Sequence, residues 1–276
     1  MKENRIKRKG RTRQITLTVF ALVFLVTIVT VLALTYSTLR ETWLEQCIVT
    51  DLDAQVAVSG GNMIKPDVIL SELGIRRGSN LAMIDYRKKR EELLAKIPNL
   101  RSLAFTRHLP DRLSISLEER RPIVKLGLRG DKRVTGRVAD ADGMVFYCQR
   151  GTEMLPTIRE EKKPGTKPGE RLSKRAMAAL VFLDTSRDPE FSELGVLEVD
   201  ISKPDYLLAT LGDYSRVKLA WTGMDDGPTT AGRERLERQL KLLVTAIRTR
   251  VSLGTIIWNA TDESGIIYAD NQGIPL

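Results

Sequence analysis

The sequence predicts an α+β protein on a single N-terminal transmembrane helix. Three observations carry this: a long uncharged run behind a basic tail, a strand–helix–helix–strand–strand pattern after it, and a series of short strands interrupted by two helices in the remainder.

From Gln14 to Leu39 no residue is charged, and Ile15–Tyr36 is dense in Val, Leu, Ile, Phe and Thr. As a helix this run reaches about 39 Å, more than the ~30 Å hydrocarbon core of a bilayer. A cleavable signal peptide is the competing reading. Its apolar region is shorter and ends at small residues, whereas this run exits through Thr35-Tyr36-Ser37-Thr38-Leu39-Arg40 without such a site. The expectation is an uncleaved anchor over 15–39, preceded by a basic cytoplasmic tail, 1–14, and followed by a linker, 40–50. Seven basic residues sit in the first 14 positions against one acid, so most of the formal net charge of +9 belongs to the tail. That places the N-terminus in the cytoplasm and the later domains outside it. It also removes the main support for nucleic-acid binding. A basic tail beside a membrane sets topology and meets anionic headgroups.

Residues 51–121 read as one unit. Ala54–Val58 alternates and stops at Ser59-Gly60-Gly61-Asn62, a strand and a turn. Pro66 opens a helix and Gly74 closes it, with Ile69 and Leu73 on one face. Asp85 is positioned to cap a second helix, Tyr86 to Ile97, with Leu93, Leu94 and Ile97 facing inward. A hairpin follows: Leu103, Phe105 and Arg107 share one side of its first strand. Leu113, Ile115 and Leu117 alternate with Ser114, Ser116 and Glu118 in the second, across the turn Leu109-Pro110-Asp111-Arg112.

Residues 122–270 read as a second unit. Strands are expected at Ile123–Leu128, Met144–Tyr147, Val196–Ile201, Tyr206–Leu211, Ser215–Ala220, Thr255–Trp258 and Ile266–Ala269, with a turn at Asp140–Gly143 and a loop at Lys162–Gly169. Ser173 caps a helix to about Asp184. A longer helix, Gly232–Arg250, keeps Leu236, Leu240, Leu243, Val244, Ile247 and Val251 on one face and its charges on the other. Residues 271–276 form a tail.

The chemistry of catalysis is hard to find. There is no G-x-S-x-G elbow, Walker A loop, H-E-x-x-H or C-x-x-C. The one histidine, His108, sits beside a hairpin turn. Cys47 and Cys148 are read as isolated thiols rather than a disulfide. Glu118 and Glu119 are neighbours in a strand and point to opposite faces. Asp225-Asp226-Gly227 reads as a loop, and Asn259-Ala260-Thr261 fits a glycosylation pattern to which no role is assigned. No catalytic residue, cofactor or metal ligand is expected.

Several segments of the first unit together resemble a known family. They are Val58-Ser59-Gly60-Gly61-Asn62, Gly78-Ser79-Asn80-Leu81, Ile84-Asp85, Ile97-Pro98, Arg107–Leu113 and Glu118-Glu119-Arg120-Arg121-Pro122. In this order they resemble a POTRA domain of the FtsQ/DivIB kind. The second glycine before Asn62, and Leu109 where an aromatic is common, are departures. Asp140–Phe146 resembles the start of the FtsQ β domain, and Leu155-Pro156-Thr157-Ile158 its next landmark.

The resemblance implies a non-catalytic, membrane-anchored scaffold of the bacterial divisome in the inner membrane at the division septum. Its β domain would bind the bitopic FtsB and FtsL subunits, which control septal peptidoglycan synthesis. Its POTRA domain and transmembrane segment would meet other division proteins. The expected partner site is Trp258, Ser264, Gly265, Ile266, Ile267, Tyr268 and Ala269, on the last strands. There an extended partner segment could add to an open sheet edge. If Ile266 and Tyr268 face the core, Ile267 and Ala269 face out. Trp258-Asn259-Ala260-Thr261 departs from the charged run usual in the family. An anchored cell-wall enzyme and a POTRA module of a translocation system are the alternative readings.

Overall fold

The structure, a computed structural model, describes residues 3–130, 136–161, 166–221, 224, 230–249, 257–262 and 268–270. It divides into two compact units: Met1–Arg90 with Ala104–Leu117, and Glu91–Leu103 with Glu118–Leu276.

The chain opens with one continuous helix, α1, Glu3–Gln46, 44 residues long. Within it Leu22–Gln46 is long and apolar enough to cross a membrane, and none of that stretch is buried against protein. The helix continues through most of the segment expected to be a linker. Arg40–Gln46 contains no glycine or proline to stop it. Threonines along the span return their hydroxyls to the preceding turn. Thr27 donates to the Val23 carbonyl at 2.7 Å and Thr42 to that of Thr38 at 2.9 Å. Their polar groups are thereby satisfied without water.

A single turn, α2 (Leu52–Gln55), is capped by the Asp51 carboxylate, which accepts from the Asp53 and Ala54 amides. Strand β1 (Val56–Ser59) follows, then α3 (Pro66–Leu73), α4 (Tyr86–Lys96), β2 (Leu100–His108) and β3 (Arg112–Glu119). Apart from α2, this is the expected β-α-α-β-β order. Pro66 opens α3, and Gly74, with φ 71°, closes it. The Asp85 carboxylate accepts from the Lys88 amide at 3.1 Å, as its capping position requires. The three strands form a sheet in the order β1-β3-β2, with β1 parallel to β3 and Val56 opposite Leu113. Ile69, Leu73, Leu113, Ile115 and Leu117 are buried, so the alternation in β3 marks an inward face. Gly60 has φ 90°, and a side chain there would meet the Leu117 carbonyl oxygen at 2.1 Å. Of the Gly60-Gly61 pair, Gly60 is therefore demanded by a close approach of backbone.

The rest of the chain builds a nine-stranded sheet. Its elements are β4 (Val124–Leu128), β5 (Arg137–Ala139), β6 (Val145–Tyr147), β7 (Thr157–Glu160), α5 (Lys174–Thr185), β8 (Glu198–Asp200), β9 (Leu207–Thr210), β10 (Arg216–Leu219), α6 (Thr230–Arg248), β11 (Ile257–Ala260) and β12 (Tyr268–Asp270). The strand order is β12-β11-β10-β9-β8-β7-β4-β5-β6. The β11–β10, β8–β7 and β7–β4 pairs are parallel and the other five antiparallel. The sheet is thus mixed and mainly antiparallel. Its core unites Val124, Leu126, Ile158, Val199, Leu207, Val217 and Trp258 with Phe182 of α5 and Leu236, Leu240 and Leu243 of α6. Ser173 caps α5 through the Ala176 amide. Thr255 and Ile256, expected to begin the penultimate strand, and Val251, expected on the α6 face, lie outside the described residues.

Candidate partner-binding edge

The two ends of the nine-stranded sheet differ. At one end β6 has its outer groups occupied. The Val145 amide donates to the Glu170 carbonyl at 3.0 Å, and the Gly169 amide donates to the Val145 carbonyl at 2.8 Å. The Tyr147 carbonyl accepts from Asn99 Nδ2 at 2.8 Å. A sheet edge treated in this way cannot template another chain.

At the other end, β12 is the terminal strand. It pairs antiparallel with β11, setting Ile257 opposite Asp270, Trp258 opposite Ala269 and Asn259 opposite Tyr268. No further strand follows it among the described residues. The strand beneath is held firmly. Gln239, buried on α6, donates from Nε2 to the Ala260 carbonyl at 3.0 Å and to that of Asp262 at 3.4 Å. The Asn259 carboxamide oxygen accepts from the Thr261 amide and hydroxyl, at 3.2 and 2.7 Å, and turns the chain out of β11. Helix α6 therefore fixes β11 through its buried face and this glutamine, and β11 fixes the register of β12.

Tyr268 and Ala269 lie in β12 as expected. Ser264, Gly265, Ile266 and Ile267 lie outside the described residues. Trp258 differs from its expected role as a surface contact. Its ring is only 4 % exposed and belongs to the core. In a four-residue strand facing α6, alternation brings Trp258 and Ala260 to the covered side. Among the described residues, the buried indole N–H has no hydrogen-bond partner.

Two polar clusters elsewhere in this unit were not legible beforehand. Arg137 and Glu160 form a buried ion pair at 2.9 Å, each side chain 5 % exposed, and Arg137 also donates to the Thr166 carbonyl at 2.9 Å. Arg120 meets Asp140 at 2.6 Å and donates to the Pro98 carbonyl at 3.1 Å, while Asp140 accepts from the Asp142 and Met144 amides. The second cluster explains three of the quoted family segments at once, those holding Pro98, Arg120 and Asp140. Spacing alone signals neither cluster: Arg137 and Glu160 sit in short strands, where a charged residue reads as a solvent-facing one, and Arg120 and Asp140 follow strand ends.

The remaining candidates are plain. Cys47 and Cys148 are free and buried. Burial, aided by the Asp111 carboxylate, pushes the Cys47 thiol above its ordinary pKa. His108 is exposed at the end of β2. Among the described residues, no group of three His, Cys, Asp or Glu side chains could hold a metal ion.

An apolar N-terminal helix that suggests a single-pass membrane anchor, a three-stranded sheet with two helices, and a larger mixed sheet define an α+β protein with a POTRA-type unit. Residues 53–120 match the family of POTRA domains, FtsQ-type, and this supports an FtsQ/DivIB-type protein related to cell division. No curated protein matches the chain.

Proposed function

We propose that the protein is a non-catalytic scaffold of the bacterial divisome, held in the inner membrane by α1 with its N-terminus in the cytoplasm. In this reading its extracytoplasmic β domain, 122–270, takes an extended segment of an FtsB/FtsL-type bitopic partner on β12. Other division proteins meet the POTRA domain, 51–121, and the transmembrane segment. The protein thereby links early division proteins to septal peptidoglycan synthesis.

The observation that carries the reading is the asymmetry of the nine-stranded sheet: β6 is hydrogen-bonded on its outer side, and β12 ends the strand order. Strand addition draws affinity from main-chain hydrogen bonds, so it needs an uncovered edge. The FtsQ-type POTRA match supplies the divisional context.

Proline substitution tests it. Consecutive residues of a strand direct their amides to opposite neighbours, so of Tyr268 and Ala269 one addresses β11 and the other the open side. Tyr268→Pro and Ala269→Pro are each expected to reduce co-purification of the bitopic partner, with unchanged circular dichroism in the variant that removes the outward donor. Full partner recovery with both variants would place the site elsewhere.

A further inference from the structure

The end of the anchor helix is clamped rather than free. The Asn80 side chain donates from Nδ2 to the Leu44 carbonyl at 2.8 Å, and the Leu81 amide donates to the Cys47 carbonyl at 2.9 Å. The Val49 amide donates to the Ser79 carbonyl at 2.9 Å, and the Gly78 amide to the Val49 carbonyl at 2.7 Å. Ile48 and Asn80 form an antiparallel bridge. Antiparallel pairing gives the clamp a direction. As the chain leaves α1 through residues 47–49, residues 78–81 run back toward the helix end. The turn that follows, closed by the Met83 amide on the Asn80 carbonyl at 3.2 Å, is therefore carried back along α1. The residue that closes it, Met83, is 70 % exposed.

A second turn lies at the same end. Strands β1 and β3 are parallel with Val56 opposite Leu113, so the β2–β3 hairpin tip lies beside the start of β1, next to the exit from α1. Gln55 ties the two together. Its Oε1 accepts from the Thr50 and Asp51 amides at 2.7 and 2.8 Å, and its Nε2 donates to Asp111 at 3.0 Å. Leu109, at the hairpin tip, is 63 % exposed.

The uncharged run ends at Leu39, and Leu44 lies about 7.5 Å further along the helix. The headgroup layer on each side of a bilayer is about 5–7 Å thick. A clamp at Leu44 thus lies at the outer margin of the headgroup layer; the Asn80–Met83 turn, carried back along α1, reaches toward that layer, and the hairpin tip stands beside the helix exit. Around them Arg87, Lys88, Arg90, Arg107 and Arg112 are exposed. The acids of the same turns are engaged, Asp85 as the cap of α4 and Asp111 by Gln55. The basic first turn of α4 opposes its own helix dipole, which an anionic surface would offset. Exposed apolar residues with cations close by in sequence, outnumbering the exposed Glu41, Glu45, Asp51 and Asp53 of the helix end, are a composition that seats a protein on lipid headgroups.

We propose that the Met83 and Leu109 turns form an interfacial foot. The two side chains enter the outer edge of the bilayer, and Arg87, Lys88, Arg107 and Arg112 take lipid phosphates. This rests on α1 being the membrane anchor.

The test uses the full chain in nanodiscs of zwitterionic and anionic phospholipid, in a Cys47→Ala/Cys148→Ala background. An environment-sensitive fluorophore is placed at Met83→Cys, Leu109→Cys, Met63→Cys or Leu32→Cys. Met63 follows β1 at the strand end away from the clamp, and Leu32 lies within the span. Lipids with nitroxide headgroups are expected to quench the labels at 83 and 109 at least about twofold more than the label at 63, and less once Arg87→Glu and Lys88→Glu are added. Labels at 83 or 109 that match 63, with the label at 32 deep in the bilayer, would overturn the foot and leave the anchor standing. A label at 32 in water would overturn both.

Discussion

Arg137 and Glu160 show how much a single residue can hide from sequence. Nothing in Arg137-Val138-Ala139 or in Thr157-Ile158-Arg159-Glu160 announces a buried charge, yet the two meet from β5 and β7, the strands on either side of β4, with both side chains almost fully enclosed. Breaking such a pair leaves one charge without its partner in a low-dielectric interior. Arg137→Met or Glu160→Leu alone is therefore expected to cost about 3–5 kcal/mol in urea unfolding, and the double replacement far less. Cys47 gives a pH-dependent case. Its thiol is raised above its ordinary value by burial and then by Asp111. A raised acid favours the protonated folded state. Its contribution to stability is complete below the ordinary thiol value and is lost as pH rises through the folded one. Cys47 is thus expected to resist thiol reagents at pH 8 until the protein unfolds. Cys47→Ala should flatten the loss of melting temperature in alkali.

Among the elements, those set by an alternation or a cap were the most legible. The inward face of β3, the Pro66 start and Gly74 end of α3, the Asp85 cap of α4 and the Ser173 cap of α5 are all where local physics puts them. β5 was missed because three residues, one of them a buried arginine, carry too little periodicity to stand out. The continuation of α1 through Arg40–Gln46 was missed for another reason: charged residues after an apolar run read as a linker, though nothing in them breaks a helix. Trp258 shows the limit of reading a contact from residue type, since a large aromatic near a terminal strand serves the core here. The register of β3 is testable directly. Ile115→Asp places a carboxylate at a fully buried position without a partner, and a loss of several kcal/mol is expected, enough to melt the small three-stranded unit. Ser116→Asp, on the exposed side of the same strand, should shift melting little.

The whole molecule is an apolar N-terminal helix, a small sheet with two helices, and a large sheet with one protected edge and one terminal strand. This order was legible because each part has its own signature: an uncharged run, a string of family segments and a series of short strands. What a partner would touch was less legible, since an edge is a property of topology and no spacing in the sequence records which strand ends a sheet. The central claim is that the β12 edge receives a bitopic division protein. Photocrosslinking from that edge in dividing cells tests it most directly. A photoreactive phenylalanine analogue is placed at Tyr268 in the full-length chain, with Tyr147, on the occupied β6 edge, as the comparison. The account predicts a cross-link from position 268 to a small single-span membrane protein, and none to that protein from position 147. The same partner captured from 147 and never from 268 would contradict it.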